Sequence, residues 1–576
     1  MIKRLSACIR EYKKASILTP LFVSMEVVME VVIPLLMANL IDFGIDAGNM
    51  NEILKYGLAL VLSCVISLAF GALSGKNAAV ASAGFAKNLR SDMYNNIQTY
   101  SFSNIDKFST ASLVTRLTTD VTNVQNAFQM IIRIAVRSPM MLVFALIMAF
   151  RVNAELSLVF LCAIPFLGVG LFLIIKKAFP VFERVFKTYD RLNSVVQENL
   201  RGIRVVKSFV REDHEVKKFD DVSESIYKDF SLAERLLAFN SPLMQTAMYA
   251  CVLVISWLGA RLIVGGTMTT GQLMSLINYA TQILMSLMML SMIFVMVTMS
   301  RASAGRVAEV LNEKSDLKDN DHPVRMVQDG SVRFEHVNFN YGSRKESLCL
   351  SDINLDIRSG ETVGILGETG SGKSSLVQMI PRLYDVTQGK VCVGGVDVRD
   401  YDVETLRDAV AMVLQKNELF SGTISDNLRW GNEHATDAEL VHACKLACAD
   451  EFIRQFPDGY NTRIEQGGTN VSGGQKQRLC IARALLKKPK ILILDDSTSA
   501  VDTKTDAQIR RAFKEEIPDT TKFIIAQRIA SVQDADKIIV MQGGKVASFG
   551  THDELMVSSP IYREVYESQT KGSDAA

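Results

Sequence analysis

Six long apolar stretches before residue 301 constrain this chain more than any other feature of its sequence. They run over about 15–41, 56–78, 125–150, 156–176, 239–260 and 272–300. A helix needs roughly 20 predominantly apolar residues to cross the hydrocarbon of a bilayer, and each stretch is long enough to do so. The sequence therefore predicts an all-α transmembrane domain with six spanning helices over residues 1–312.

The links between the stretches alternate in length and in charge. The three links 1–2, 3–4 and 5–6 are short, whereas links 2–3 and 4–5 are long and rich in Lys and Arg. By the positive-inside rule, the N-terminus and the long links face the cytoplasm of a multi-pass protein of the cytoplasmic membrane. Apolar spacing in the long links predicts helical extensions into the cytosol, which turn back near Ile105–Leu113 and Phe209–Lys217. The basic first fifteen residues are expected to form an amphipathic elbow helix on the inner membrane surface.

A second, soluble half follows a polar linker at residues 313–330. Short β-rich runs alternate with helical ones over residues 331–576, and this alternation predicts an α/β domain. Hydrophobic residues make up 48% of the chain and charged residues 22%, a mixture that suits one membrane half and one soluble half. The net charge of +1 argues against a nucleic-acid-binding protein, which would carry a basic excess.

The strongest motif of the soluble half is a glycine-rich loop, Gly367–Ser374 (GETGSGKS), which follows the buried-strand run Thr362–Leu366. Glycines let backbone N–H groups curl around phosphate oxygens, and the start of the next helix adds a positive dipole. Lys373 can reach the β- and γ-phosphates, and Ser374 offers a hydroxyl to Mg²⁺. The sequence thus predicts an ATP and Mg²⁺ site formed by Gly367, Thr369, Gly370, Ser371, Gly372, Lys373, Ser374 and Ser375.

Two further motifs accompany this loop. The apolar run Ile491–Leu494 predicts a strand that ends in Asp495 and Asp496, and the first of these carboxylates is placed to hold Mg²⁺. Between the two strands, Val471–Arg478 (VSGGQKQR) opens another predicted helix. Its Ser-Gly-Gly start is a second candidate anion cradle, for the same reason as the first.

The combination of GETGSGKS, VSGGQ and ILILDD behind six predicted spans resembles the ABC exporters, and the resemblance covers essentially the whole chain. It implies that the α/β domain is a P-loop nucleotide-binding domain of ABC type. Two such domains would face each other head to tail, with each ATP between the P-loop of one and the VSGGQ signature of the other. This implies that the signature and D-loop residues serve the partner's site: Ser472, Gly473, Gly474, Gln475 and Asp502, the last within Ser499–Asp502.

The same resemblance assigns roles to three other positions. Tyr341 stands where the family stacks an aromatic ring on adenine. Gln415 matches the Q-loop, which touches Mg²⁺ together with the residues at Ser374 and Asp495. The link Gln197–Phe219 resembles the segment whose tip docks on the nucleotide-binding domain of the partner chain.

Two positions depart from the family pattern. The residue after the Walker B Asp is normally a Glu that positions or activates the attacking water, and here it is Asp496. The H-loop residue is normally His, and here, in FIIAQRIAS, it is Gln527. Displacing a catalytic group by about 1 Å can lose on the order of 100-fold in rate, and a glutamine cannot move a proton as a histidine can. In a smaller departure, Gln466 stands in IEQGGTN where the family has Glu.

Both main departures lie in the site built on this chain's own P-loop, whereas the VSGGQ signature is close to the family consensus. This pattern resembles the degenerate subunit of heterodimeric bacterial multidrug exporters. It predicts an ATP-hydrolysing translocase whose own site is weak or inactive, paired with a homologous chain that carries the consensus Glu and His. The alternative is a homodimeric exporter of lipids or peptides that tolerates Asp496 and Gln527.

The cargo is constrained mainly by polar side chains in the predicted spans. Glu26 and Glu30 lie one helical turn apart in the first span, and intramembrane carboxylates are usually functional or paired. They are candidates for attracting a cationic cargo, unless Arg133, Arg137 or a polar neighbour neutralises them.

The sixth span is rich in methionine and contains two further cargo candidates, Asn278 and Gln282. Methionine makes adaptable surfaces that suit varied apolar ligands, although it is also ordinary core and lipid-facing filler. The leading expectation is export of drugs or other lipophilic small molecules.

Overall fold

The computed structural model describes residues 1–342, 348–496 and 501–573. The chain divides into two compact units. The first comprises residues 1–98 and 109–313, and the second comprises the short segment 99–108 together with the chain from residue 314 onward.

Long helices build almost all of the first unit. Within the described residues, six helical stretches are long and apolar enough to cross a membrane. The helices are α1 (Ile2–Ala7), α2 (Lys13–Asn39), α3 (Met50–Gln98), α4 (Phe102–Lys107), α5 (Thr110–Thr115), α6 (Val121–Val152), α7 (Ala154–Ser208), α8 (Glu212–Ala238), α9 (Asn240–Val264) and α10 (Thr270–Asn312), of which α4 belongs to the second unit.

Local capping explains where the spanning helices begin at the outer side. The side chain of Asn153 accepts a hydrogen bond from the Leu156 N–H at the start of α7. Thr269 and Gln272 form a reciprocal capping box at the start of α10. These side chains satisfy backbone donors that a helix leaves unpaired at its first turn. At 55 residues, α7 is about 80 Å long and exceeds the thickness of a bilayer.

The N-terminal segment departs from the expected single amphipathic helix. Helix α1 ends at Ala7, a 3-10 turn covers Arg10–Tyr12, and α2 then begins at Lys13. The backbone of Arg10 is left-handed, with φ of 41°. The break brings Arg10 onto Asp92 of α3, where one guanidinium nitrogen contacts both carboxylate oxygens at 2.7 and 2.8 Å. The break in the helix therefore coincides with tertiary contacts to α3.

Ion pairs join the cytosolic ends of α6 and α10. Arg306 donates to both oxygens of the buried Asp120 carboxylate. A π-helical turn, Arg116–Asp120, precedes α6, and the Arg116 guanidinium donates to Glu309 at 2.8 Å and to the backbone carbonyl of Arg306 at 3.1 Å. These contacts fix the helical extensions against each other.

The second unit contains two main sheets. Its strands are β1 (Val332–Phe339), β2 (Leu350–Ile357), β3 (Thr362–Gly367), β4 (Gln388–Val393), β5 (Val396–Asp397), β6 (Val410–Val413), β7 (Gly422–Thr423), β8 (Arg463–Ile464), β9 (Ile491–Asp495), β10 (Thr521–Ile525), β11 (Lys537–Gln542) and β12 (Lys545–Gly550). Its helices from residue 314 onward are α11 (Lys373–Gln378), α12 (Val403–Ala409), α13 (Ile424–Arg429), α14 (Asp437–Leu446), α15 (Asp450–Gln455), α16 (Gly473–Leu486), α17 (Thr503–Glu516), α18 (His552–Ser558) and α19 (Pro560–Ser573).

The larger sheet has the strand order β12-β11-β3-β10-β9-β6. Strands β11, β3, β10, β9 and β6 are parallel, and β12 is an antiparallel edge. The inner strands read as continuous apolar runs because helices cover both faces of such a sheet. Since β3, β10 and β9 are neighbours and parallel, their carboxyl ends meet at one edge, where a ligand site is expected.

Candidate nucleotide site

The loop after β3 takes a backbone path that only glycine follows without strain. Gly367, Gly370 and Gly372 have φ angles of 152°, 84° and 96°. A Cβ on Gly367 would lie 2.3 Å from the carbonyl oxygen of Met541, and one on Gly372 would lie 2.8 Å from that of Cys349. The predicted phosphate-binding loop is thus a tight, closely packed turn between β3 and α11.

The side chains of the loop fit an anionic ligand. The Ser371 hydroxyl is buried and has no hydrogen-bond partner within the described parts of the chain. The Lys373 ammonium donates to the carbonyl oxygens of Gly367 and Glu368, both at 2.7 Å, and burial lowers the pKa of Lys373. Thr369 is exposed at the turn. An orphan hydroxyl and a desolvated cation are both groups that a phosphate would satisfy.

Two of the three predicted Mg²⁺ ligands, Ser374 and Asp495, are in direct contact. Ser374 Oγ donates to Asp495 Oδ1 at 3.0 Å, which links the loop to the end of β9. Burial raises the pKa of Asp495, and the negative charge of Asp496 beside it raises that pKa further. A hydroxyl and a carboxylate are oxygen ligands suited to Mg²⁺, which takes its remaining ligands from phosphate and water. The residues present therefore fit the Mg²⁺ of a bound nucleotide.

Asp496 accepts hydrogen bonds from two amide side chains. Gln527 Nε2 donates to Asp496 Oδ2 at 2.8 Å, and Gln415 Nε2 approaches the same oxygen at 3.4 Å. The backbone of Asp496 is left-handed, with φ of 49°, a region that Asp and Asn tolerate better than most residues. The two departures from the family pattern are thus in direct contact, which sequence reasoning did not foresee.

Tyr341 lies beside the helix that follows the loop. Its hydroxyl is 2.9 Å from Ser375 Oγ and donates to Gln378 Oε1 at 2.9 Å. Burial raises the pKa of Tyr341. The ring packs edge-on against Phe339 and Tyr384 at centroid distances of 4.7 and 5.1 Å. The candidate adenine platform therefore belongs to an aromatic cluster.

Tyr384 was not among the predicted site residues, and no motif in the sequence marks it. Its hydroxyl donates to Asp106 Oδ2 of α4 at 2.7 Å, and its ring lies 6.0 Å from that of Phe102. The short segment 99–108 is held on the second unit by these contacts.

The VSGGQ residues lie at the start of α16. Ser472 and Gln475 form a capping box, in which Gln475 N–H donates to Ser472 Oγ at 3.2 Å. Ser472 and Gly473 are exposed, and Gly474 is half-buried. Gln466 is exposed in a short turn that precedes the signature.

The predicted D-loop is described only in part. Ser499 and Ala500 lie outside the described residues. Asp502 caps α17, and the hydrogen bond from the Thr505 N–H holds the pKa of its carboxyl below the usual range.

In the first unit, the two intramembrane carboxylates share one arginine. Arg137 of α6 donates through Nη1 to Glu26 at 2.7 Å, and through Nη2 to both oxygens of Glu30 at 2.7 and 2.8 Å. Ser74 of α3 adds a long contact to Glu26 at 3.5 Å. Of the alternatives for these acids, the structure shows pairing with Arg137.

The two polar candidates of the sixth span differ in their surroundings. Asn278 is exposed and donates to the carbonyl of Met274 in its own helix. Gln282 donates at 3.4 Å to the backbone carbonyl of Glu30, and its Oε1 atom is buried without a partner within the described residues. Gln282 therefore lies next to the ion-paired cluster, and Asn278 does not.

Comparison with protein families matches both halves of the chain. A family described as the ABC transporter transmembrane region matches residues 17–287, and one described as ABC transporter matches residues 350–499.

Three relatives extend this similarity along the chain. The uncharacterized ABC transporter ATP-binding protein YfiB of Bacillus subtilis is 37% identical, over 94% of each chain. An uncharacterized ABC transporter ATP-binding protein of Mycobacterium tuberculosis is 35% identical, over 98% of this chain and 97% of its own. The ATP-dependent lipid A-core flippase of Desulfotalea psychrophila is 32% identical, over 84% of each.

A solved structure, that of a bacterial Atm1-family ABC exporter with ATP bound, has a TM-score of 0.84 to this chain. The alignment covers 97% of this chain and 99% of that one, at 23% identity. The likeness shows a common fold and confirms the predicted class: a six-helix transmembrane domain followed by an α/β nucleotide-binding domain.

Proposed function

The chain belongs to the ABC transporters, as an exporter-type half-transporter, and from that premise we propose that it exports drugs or other lipophilic molecules within a heterodimer. Its six spanning helices place it in the membrane, with the nucleotide-binding domain in the cytoplasm. In the proposed heterodimer, this chain's own site holds ATP and hydrolyses it slowly. The partner chain supplies the Glu and His of the competent site.

One observation carries the proposal: the carboxylate of Asp496 is short and already engaged. A general base must reach the attacking water with a free lone pair. Here Asp496 ends one methylene earlier than Glu would, and its Oδ2 accepts from Gln527 and Gln415. Gln527 donates an amide hydrogen in place of a histidine and cannot carry a proton.

The signature supports the second half of the proposal. Ser472 and Gly473 are exposed at the start of α16, a helix of 14 residues whose first N–H groups suit a phosphate. A partner's P-loop could therefore use this chain's VSGGQ residues. The chain would contribute a consensus signature to one site and a weakened catalytic pair to the other.

The test is ATP hydrolysis by the purified chain in lipid, native beside Asp496→Glu/Gln527→His. We expect near-background turnover in the native chain and a rise of about 10- to 100-fold in the double variant, because both catalytic groups return to the family geometry. Lys373→Ala in the double variant is the control for turnover that does not come from the P-loop site. Robust turnover by the native chain alone would contradict the degenerate site and favour a homodimer.

The intramembrane contacts bear on the class of cargo. Arg137 pairs with both Glu26 and Glu30, so the attraction for a strongly cationic cargo is weaker than two unpaired carboxylates would give. Side chains of the sixth span support an apolar cargo because several methionines are exposed: Met285, Met288, Met289 and Met292.

A homodimer that exports lipids or peptides is the second candidate, and the similarity to a lipid A-core flippase supports the lipid version. Flux into inside-out vesicles separates the candidates. Accumulation of a fluorescent lipid in vesicles that contain this chain alone would favour the homodimeric lipid exporter. Uptake of a lipophilic dye only when a second chain with the consensus Glu and His is present would favour the heterodimeric exporter.

A further inference from the structure

The side chain of Gln569, on α19, pairs with two backbone groups of the loop that carries Gln527. Its Nε2 donates to the carbonyl oxygen of Gln527 at 2.9 Å, and the Ile529 N–H donates to its Oε1 at 2.9 Å. A carboxamide carries a donor and an acceptor side by side, so it can pair with a backbone as a neighbouring strand would. We call residues 526–529 the switch loop.

Helix α19 is anchored to its own domain two turns before Gln569. Tyr562 is buried, and its hydroxyl lies 2.7 Å from His552 Nδ1. The ring of Tyr566 packs at 5.4 Å from the same imidazole. Positions 562, 566 and 569 follow the i, i+4, i+7 spacing of one helix face. The contacts of Tyr562 and Tyr566 with His552 therefore hold the face of α19 on which Gln569 meets the switch loop.

The switch loop ends at buried residues, but its centre has no side chain in the core. The Ala526 N–H donates to the carbonyl of Ile365 at 3.2 Å, and Ile529 is buried. Gln527 is exposed between them, and its side chain reaches Asp496. The two bonds from Gln569 span this exposed centre, and they therefore set where residue 527 points.

We propose that Gln569 is a positioning residue of the nucleotide site, which holds the switch loop so that the side chain at 527 reaches residue 496. This inference rests on the proposed function, since it concerns the same weakened catalytic pair. In the native chain Gln569 keeps the amide of Gln527 on Asp496. In the variant with Glu and His restored, it orients the histidine instead.

Amide hydrogen exchange of the full chain in lipid tests the contact without any turnover. Gln569→Ala removes the acceptor of the Ile529 N–H, and exchange in residues 526–532 is expected to rise about fivefold. Gln569→Glu keeps that acceptor and loses the donor to the Gln527 carbonyl, so its Ile529 amide remains slow. Ser568→Ala, exposed on the preceding residue, is the matched control.

Turnover tests the consequence, in the Asp496→Glu/Gln527→His background. Adding Gln569→Ala is expected to lower kcat about tenfold, because a misplaced catalytic group loses rate. The KM for ATP and the unfolding temperature stay those of the Ser568→Ala control, since Gln569 lies on α19 and its two hydrogen bonds go to backbone groups of the switch loop. Gln569→Glu lowers kcat as well, because it cannot donate to the Gln527 carbonyl.

Exchange and kcat equal to those of the Ser568→Ala control would overturn the proposal. So would a joint fall of kcat, ATP affinity and unfolding temperature, which would make Gln569 a purely structural contact. If the native chain hydrolyses ATP as fast as the double variant, that result contradicts the degenerate site but not the role of Gln569. The kcat of Gln569→Ala and Ser568→Ala would then be compared in the native background. If the double variant is inactive, the exchange result decides alone.

Discussion

Asp495 and Asp496 are adjacent at the end of β9, yet they face different partners. Asp495 accepts from the P-loop serine, Ser374, at 3.0 Å. Asp496 accepts from two amides on two other loops, Gln527 and Gln415. In the proposed nucleotide site, Asp495 would face the metal and Asp496 would face the attacking water.

The raised pKa of Asp495 gives a pH-dependent stability. The folded chain binds this proton more tightly than the unfolded chain, whose Asp titrates near pH 4. Stability from this group therefore falls as the pH rises from about 4 through the raised pKa, and the loss persists at neutral pH.

We accordingly expect Asp495→Asn to raise the unfolding temperature of the nucleotide-free chain at pH 7 and to leave it nearly unchanged at pH 4. Thermal unfolding of both forms across this range measures the difference. Asp458→Asn, at an exposed turn, is the control and should shift at neither pH. A variant that is less stable than the native chain at pH 7 would contradict the burial argument.

At the scale of helices, the Arg137 fork joins α2 to α6 inside the membrane. Removing the arginine leaves Glu26 and Glu30 without their cation. We expect Arg137→Met to cost about 2 kcal/mol of stability, below the ~3–5 kcal/mol of a fully buried pair, because 36% of the arginine side chain is exposed.

Thermal unfolding in detergent checks this value, with Arg133→Met as the control. Arg133 lies one turn earlier in the same helix and has no ion pair in the described part of the chain. Changing Glu26 and Glu30 to Gln together with Arg137→Met should recover most of the loss. Equal effects of the two arginine changes would show that charge pairing is not the cause.

The outer ends of α2 and α10 approach so closely that only glycine fits. A Cβ on Gly271 would lie 2.3 Å from the carbonyl oxygen of Ala38 and 2.7 Å from Asp42 Oδ1. Gly271→Ala is therefore expected to destabilise the helical unit by about 1–3 kcal/mol. Gly57→Ala in α3 would meet no described atom within 4 Å and should be neutral or stabilising in the same unfolding assay.

At the scale of the whole molecule, the cytosolic turn between α7 and α8 presents apolar side chains that no part of the chain described by the structure covers. Phe209 is 72% exposed and Val210 is 80% exposed. A contiguous exposed apolar patch marks an interaction surface. This agrees with the expectation that the tip docks on the partner's nucleotide-binding domain.

Phe209→Asp is expected to leave the unfolding temperature of the isolated chain unchanged, since the ring is exposed. In the complete transporter it should lower cargo-stimulated ATP hydrolysis about tenfold, as the loss of an apolar interface anchor would. Val264→Asp, 90% exposed at the outer turn, is the control. Unchanged coupling in the Phe209 variant would remove this tip from the proposed interface.

In the proposed heterodimer, a site with weak hydrolysis would still have a role. ATP can drive closure of the two nucleotide-binding domains only if it binds the closed state better than the open one. That requirement concerns binding, which the glycine loop and Lys373 are proposed to supply, and not hydrolysis. A site with a poor catalytic pair can therefore still act as a closing ligand site.

The six spans, the P-loop, the Walker B strand and the signature helix could be predicted from the sequence because each is a local pattern. Hydrophobic length, glycine spacing and a capping Ser-x-x-Gln depend on residues within about 20 positions of one another. The resemblance added roles for Tyr341 and Gln415, and it drew attention to Asp496 and Gln527. The prediction of one continuous N-terminal helix was wrong, because the chain breaks between Ala7 and Lys13, where Arg10 contacts the distant Asp92.

Contacts between residues far apart in the chain were decided only by the tertiary structure. Arg137 pairs with a carboxylate 111 positions away, Gln527 with Asp496 at 31, and Gln569 with the switch loop at 42. A charged or amide side chain can satisfy many partners, so its sequence position does not determine which one it meets. Packing of helices and strands brings one partner within hydrogen-bond distance, and where a group is buried, as Glu26 is, leaving it unpaired would be costly.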